Sequence, residues 1–208
     1  MKARLTYVFD AYCGWCYGFG PAIRDFAAAN AGRIELDVVS GGLFTGARVA
    51  PIGTMPYVAD ANARIAELTG AEFGPGYRAL VADGRFEMDS TAAAAGFAAL
   101  RAAAPGQALA AAEAMQRAFY FDGLSLSEAS TYRHIAGLLG LAADDVLTAF
   151  NARTGAAQDF TRAARLGVTA YPTLLLHTAT GVLRLGGPAA TATQLTAALD
   201  RHLASVSL

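Results

Sequence analysis

Apolar and polar residues alternate at the start of the chain. Leu5, Tyr7 and Phe9 are separated by Thr6 and Val8, and Tyr, Val and Phe favour extended backbone, so Arg4–Phe9 reads as a buried strand. The period then changes. Phe19, Ile23, Phe26 and Ala27 recur at helical spacing, and Asn30-Ala31-Gly32 marks the stop. Pro21 falls inside this helix and is expected to kink it. Ile34, Leu36 and Val38 alternate with Glu35 and Asp37, which predicts a second strand running out at Ser40-Gly41-Gly42. From Gly41 to Pro56 the pattern is that of a loop holding Pro51 and Gly53, and loops of this length are often functional.

From Tyr57 to about Leu166 every apolar pattern is helical, punctuated by Gly70, Gly74-Pro75-Gly76, Pro105-Gly106, Gly123 and Gly140. Ser90 or Thr91 is expected to cap an alanine-rich helix, and Ser127 a later one with Glu128 in its first turn. After Gly167 strands return. Thr173–His177 and Val182–Leu185 form a hairpin about a Thr180-Gly181 turn, and Leu195, Leu199, His202 and Leu203 mark a last amphipathic helix. The order is β-α-β, a helical block, then β-β-α, which makes one mixed sheet covered by helices. Residues 1–56 and 167–208 read as one domain and residues 57–166 as a helical insertion in it.

Composition narrows the function. Hydrophobic residues are 54% of 208 and charged residues 16%, so a large core is expected and disorder is not. The net charge is −1 with no run of Lys or Arg, which disfavours nucleic acid as a partner. No apolar stretch approaches a membrane span, so no membrane partner is expected. Met1-Lys2-Ala3-Arg4 resembles the basic start of a signal peptide, but the apolar run Leu5–Phe9 is too short and stops at Asp10. A cytoplasmic location is expected.

The two cysteines of the chain, Cys13 and Cys16, follow the first strand directly and open the first helix. Each feature of Cys13-Gly14-Trp15-Cys16 suits thiol–disulfide exchange. A helix N-terminus stabilises the attacking thiolate, and the spacing brings both sulfurs within disulfide reach. Cys13, at the exposed tip, is expected to attack, and Cys16 to resolve the mixed disulfide. Gly14 is expected to leave Cys13 open to an incoming chain. Zinc is the rival reading, but a zinc site usually needs four ligands, and His134, His177 and His202 are far apart and unpatterned. No metal and no organic cofactor is implied, since the dithiol itself carries two electrons. Tyr171-Pro172-Thr173 lies at the mouth of the third strand, where a proline needs a reason. A cis peptide is one, and would present the Tyr171 backbone to an extended substrate; a trans proline opening a strand is the other.

These features together resemble the thioredoxin superfamily: Cys-Gly-Trp-Cys after the first strand, Pro21 eight residues beyond Cys13, and Tyr171-Pro172-Thr173 before the hairpin. The helical insertion is similar to that of the DsbA family. Asp89-Ser90-Thr91 and the segment Ala118-Phe119-Tyr120-Phe121-Asp122-Gly123-Leu124-Ser125-Leu126-Ser127 resemble DsbA-like proteins and 2-hydroxychromene-2-carboxylate isomerases. The likeness spans nearly the whole chain and is greatest to DsbA-family proteins labelled predicted protein-disulfide isomerases. It implies an α/β thioredoxin-like fold, a cis Pro172 packed against the cysteines, and a nucleophilic Cys13. Gly14, Trp15, Tyr171 and Thr173 are the expected substrate contacts.

Two departures from the family matter. DsbA has a histidine between its cysteines where this chain has Gly14 and Trp15, so a less oxidising couple is expected. Many relatives carry a buried acid on the first strand where this chain has Tyr7. The nearest acid is Asp10, expected either to relay a proton with Cys16 or to cap the loop or helix start. Trp15 is expected to dock an apolar substrate surface or to fold down as local packing. Phe44, Met55 and Tyr57 are candidates for the rim of a peptide groove. His177 reads as a satisfied sheet residue, and His134 and His202 as solvent-facing. The expected substrates are protein or small-molecule thiols and disulfides, with glutathione or a thioredoxin-type protein as electron donor, acted on by a monomer or weak homodimer. Two rival functions stand beside this one. A glutathione-dependent isomerase of the 2-hydroxychromene-2-carboxylate type would need no resolving cysteine. A binding module would use the Tyr171–Pro172 groove alone.

Overall fold

The protein is described by a computed structural model over residues 2–206; Met1, which opens the basic start, lies outside the described residues. Four strands form one mixed sheet in the order β2-β1-β3-β4. The central strand β1 (Ala3–Phe9) runs parallel to β2 (Ile34–Ser40), from Ala3 opposite Ile34 to Phe9 opposite Ser40. On its other side it pairs antiparallel with β3 (Thr173–Thr178), from Leu5 opposite Leu176 to Val8 opposite Thr173. The edge strand β4 (Gly181–Arg184) pairs with β3. The hairpin loop is Ala179-Thr180 rather than Thr180-Gly181, because Gly181 already pairs with Thr178 and accepts the Thr178 hydroxyl.

α1 (Gly14–Ala29) joins β1 to β2. Between β2 and β3 come α2 (Val58–Thr69), α3 (Pro75–Asp83), α4 (Ser90–Ala103), α5 (Ala108–Tyr120), α6 (Ala129–Leu138), α7 (Ala143–Asn151) and α8 (Ala156–Arg165); α9 (Ala192–Val206) follows β4. Leu5, Tyr7 and Phe9 point from β1 into one large apolar cluster with Phe19, Ile23 and Phe26 of α1 and with Phe97 and Phe119 of α4 and α5. Val8 and Val39 pack on the opposite face against Ala163 of α8. With both faces covered, β1 is buried almost throughout. Thr6 keeps its place there by a 2.8 Å hydrogen bond with His177 Nε2, so His177 is satisfied within the sheet, as expected. His134 is exposed on α6, whereas His202 is half-buried.

A buried ion pair ties α4 and α8 to the end of β2. Arg101 of α4 donates to both oxygens of Asp159 on α8 at 2.9 Å and to the Val38 carbonyl at 2.8 Å. Asp159 is buried and also accepts from the Ser40 amide at 2.9 Å, at the end of β2.

The caps differ from expectation. Asp89, not Ser90 or Thr91, caps α4 by accepting from the amides of Thr91 and Ala92 at 2.8 and 3.4 Å. Ser90 is turned inward instead. α6 starts after Glu128 with no side-chain cap, and Ser127 lies in the preceding turn, its amide donating to Ser125 Oγ.

Candidate active site

β1 ends at Phe9, and the chain turns so that the Cys13 amide donates to the Asp10 carbonyl at 3.1 Å. Cys13 is then the N-cap residue of α1, in extended conformation at φ −89° and ψ 110°. Its Sγ accepts from the Cys16 amide at 3.3 Å, where a serine or aspartate oxygen would sit in other helices. A thiolate formed there meets an amide donor and the positive end of the helix. The pairing of Val8 with Thr173 brings the entrance of β3 alongside. The Tyr171–Pro172 peptide is cis, and the Cys13 thiol donates to the Tyr171 carbonyl at 3.5 Å.

Cys13 is 5% exposed, not the open tip expected from sequence, because the Tyr171 carbonyl lies against its sulfur. Cys16, one turn deeper, is wholly buried. Burial first, and the Cys13 thiol second, push the Cys16 thiol well above its ordinary pKa. Both cysteines are free thiols.

Asp10 is buried beneath the turn. Oδ1 accepts from the Tyr12 amide at 2.9 Å and from Ser90 Oγ at 3.1 Å, and Oδ2 from the Leu43 amide at 2.8 Å. It therefore caps its own loop, while Cys13 caps α1. Burial raises its pKa to about 6, against the lowering effect of the Leu43, Tyr12 and Ser90 donors. Tyr7 of β1 lies beside the cysteines. Its hydroxyl is buried, has no aligned hydrogen-bond partner among the described residues, and lies within electrostatic reach of Cys16, Cys13 and Glu113. Burial above all holds that phenol un-ionised.

The other sequence candidates separate. Gly14 faces the helical block rather than an incoming chain: a Cβ there would stand 2.9 Å from Ile65 Cδ1 of α2. Trp15 is half-buried and packs against the main core. Tyr171 is braced from below, its hydroxyl accepting from the Gly42 amide at 3.2 Å. The ring fits because residue 41 is glycine, since a Cβ would meet it at 2.2 Å. Thr173 is buried, and its hydroxyl donates to the Ala170 carbonyl at 2.8 Å. Of the three loop residues, Phe44 is buried, Met55 is half-buried, and Tyr57 is exposed with its hydroxyl against Met55 Sδ.

Sequence reasoning missed several residues that complete the site. Ser90 bridges Asp10 and the Phe44 amide, at 3.1 and 2.9 Å. Gln116 of α5 donates to the Asp10 carbonyl at 3.3 Å. Arg184 of β4 donates to the Pro172 carbonyl at 3.1 Å. Ser90 had a signal, the Asp89-Ser90-Thr91 segment; Gln116 and Arg184 had none.

A family profile for the DSBA-like thioredoxin domain matches residues 4–183. The chain belongs to the DsbA-like thioredoxin family. Among solved structures it is similar to the cytosolic disulfide reductase DsbM of Pseudomonas aeruginosa, at 28% identity and a TM-score of 0.80 over 96% of this chain and 98% of that one. DsbM solved with glutathione matches at 27% identity and a TM-score of 0.76, over 96% of this chain and 98% of that one. A 2-hydroxychromene-2-carboxylate isomerase shares the fold at 14% identity and a TM-score of 0.64, over 98% of this chain and 96% of that one. No curated protein matches the sequence. The chain is a member of a thiol–disulfide oxidoreductase family, with a mixed sheet and a helical block between β2 and β3. No helix among the described residues is long and apolar enough to cross a membrane.

Proposed function

We propose that this protein catalyses thiol–disulfide exchange in the cytoplasm as a disulfide reductase that takes electrons from glutathione. The observation that carries the reading is the Cys13 sulfur at the α1 N-cap, held between the Cys16 amide and the Tyr171 carbonyl. Cys13, as thiolate, attacks a substrate disulfide. One substrate sulfur leaves as a thiol and the other stays bound to Cys13. Cys16 then attacks Cys13, forms the Cys13–Cys16 disulfide and releases the second substrate thiol. Two glutathione thiols reduce that disulfide and leave as glutathione disulfide, so the electrons balance. The likeness to DsbM, a cytosolic reductase solved with glutathione, supports both donor and location.

In this reading Tyr171 and Pro172 frame the sulfur, Trp15 flanks the approach, Asp10 fixes the turn beneath, and Gly14, facing α2, and the buried Thr173 support the site from within. Residues 1–56 and 167–208 carry the chemistry, and residues 57–166 cover it. The glutathione-isomerase alternative leaves Cys16 without a task.

Trapping tests the assignment. Cys16→Ser is expected to accumulate a mixed disulfide with a glutathionylated peptide through Cys13, and Cys13→Ser to form none. Full turnover by Cys16→Ser would refute the resolving role and favour the isomerase-type chemistry.

A further inference from the structure

Two cations are anchored to the Tyr171–Pro172 segment, and the exchange chemistry above gives neither a task. Arg184 of β4 is exposed and donates through Nη2 to the Pro172 carbonyl at 3.1 Å. That carbonyl follows directly on the Tyr171 carbonyl that meets the Cys13 sulfur. Arg48, in the loop after β2, is exposed too. It donates through Nη2 to the Gly42 carbonyl at 2.7 Å and to Thr45 Oγ1 at 3.1 Å. The Gly42 amide in turn donates to the Tyr171 hydroxyl at 3.2 Å. Each guanidinium is therefore tied to a residue that frames Cys13, one through the Tyr171 ring and one through the Pro172 carbonyl. Neither has an acid partner: among the described residues no ion pair includes Arg48 or Arg184. Glu87 is bridged to Pro51 of the same loop, but its carboxylate forms no ion pair, and Asp89 is taken up in capping α4. A bound carbonyl leaves most N–H donors of a guanidinium free, and a carboxylate fits that fork. The field of Arg48 also reaches the turn, where it opposes the burial that raises the pKa of Asp10 and of Tyr171.

We propose that Arg48 and Arg184 select the disulfide that Cys13 attacks, by holding carboxylates that lie close to its sulfurs. The inference rests on the exchange chemistry above. The favoured substrate is then a small disulfide bearing carboxylates, rather than a neutral or cationic one. A thiolate that attacks such a disulfide brings like charges together, and two cations at the rim offset that repulsion. They also favour the encounter of an anionic substrate with this face of the molecule. The carbonyl anchors matter because they fix each guanidinium at the site, where a free arginine would lose rotamer entropy on binding. Both groups are exposed, so the preference is one of moderate size that salt weakens.

Three disulfides of different charge test this: anionic glutathione disulfide, neutral 2-hydroxyethyl disulfide and cationic cystamine. Oxidation of the reduced protein by each is followed through Trp15 fluorescence. Every rate is divided by that of dithiothreitol with the same disulfide, which removes the intrinsic reactivity of the probe. Wild type is expected to favour glutathione disulfide and to react least with cystamine, and added salt to narrow the spread. Arg48→Gln and Arg184→Gln are each expected to lower the ratio of the glutathione disulfide rate to the 2-hydroxyethyl disulfide rate about fivefold. Arg184→Lys is expected to restore it in part. A ratio unchanged in both Gln variants, even if all three rates fall together, overturns the selection and leaves the exchange chemistry standing. So does a wild type without preference among the three. Failure of the wild type to react with any of them overturns the exchange chemistry and the selection with it.

Discussion

A sulfur occupies the N-cap of α1, where most helices place an oxygen. The placement of the cysteines at a helix start was legible in the sequence, but not that the Cys13 sulfur, rather than Asp10, caps the helix. What surrounds them was less so. Asp10 was visible as the nearest acid, but its partners Ser90 and Leu43 come from distant parts of the chain, and spacing along a sequence does not report such contacts. Its chemistry makes a pH prediction. The folded pKa, about 6, is raised above the unfolded value near 3.8, so the folded state binds the extra proton. The stability from this group is fully present below pH 3.8 and is lost as pH rises through about 6. Wild type is therefore expected to gain on Asp10→Asn by roughly 2–3 kcal/mol between neutral pH and pH ~4. Denaturant titrations at the two ends check this, and a pH-independent difference would contradict it.

The elements were easier to read than their ends. Strand and helix periods located β1, α1 and β2 closely, because one strongly amphipathic or buried face dictates each. The α4 cap was shifted by one residue because Asp89, Ser90 and Thr91 are all capable caps, and only the inward pull of Asp10 on Ser90 decides among them. Contacts between elements support two further predictions. Gly41→Ala forces a Cβ into the Tyr171 ring and is expected to cost about 1–3 kcal/mol and to slow Cys13 attack, since Tyr171 carries the carbonyl against its sulfur. Wild-type melting and wild-type kinetics of Cys13 attack would contradict this. Asp159→Ala leaves the Arg101 charge with only the Val38 carbonyl, and the Ser40 amide without its acceptor, where α4, α8 and β2 meet, and is expected to cost about 3–5 kcal/mol. Chemical denaturation checks that figure, and a loss under about 1 kcal/mol would show the pair to be screened like a surface one.

For the molecule as a whole, one apolar cluster joins β1 and α1 to the helices that lie between β2 and β3. Those helices bring Ile65 against Gly14, Ser90 against Asp10, and Gln116 against the turn. The helical block was legible as helices, but not as the floor of the active site, because no local pattern reveals which helix faces the cysteines. The sulfur it shelters has a helix terminus to stabilise it and no cationic residue between the cysteines. The dithiol is therefore expected to be a better reductant than that of DsbA.

The reduction potential of the Cys13–Cys16 couple tests this most directly. It is read by equilibrating the protein in glutathione buffers and following Trp15 fluorescence with thiol trapping. A reversible disulfide with a potential between about −180 and −270 mV is the predicted result. A potential near about −120 mV would contradict the reductase reading, and no reversible Cys13–Cys16 disulfide at all would contradict the redox account itself.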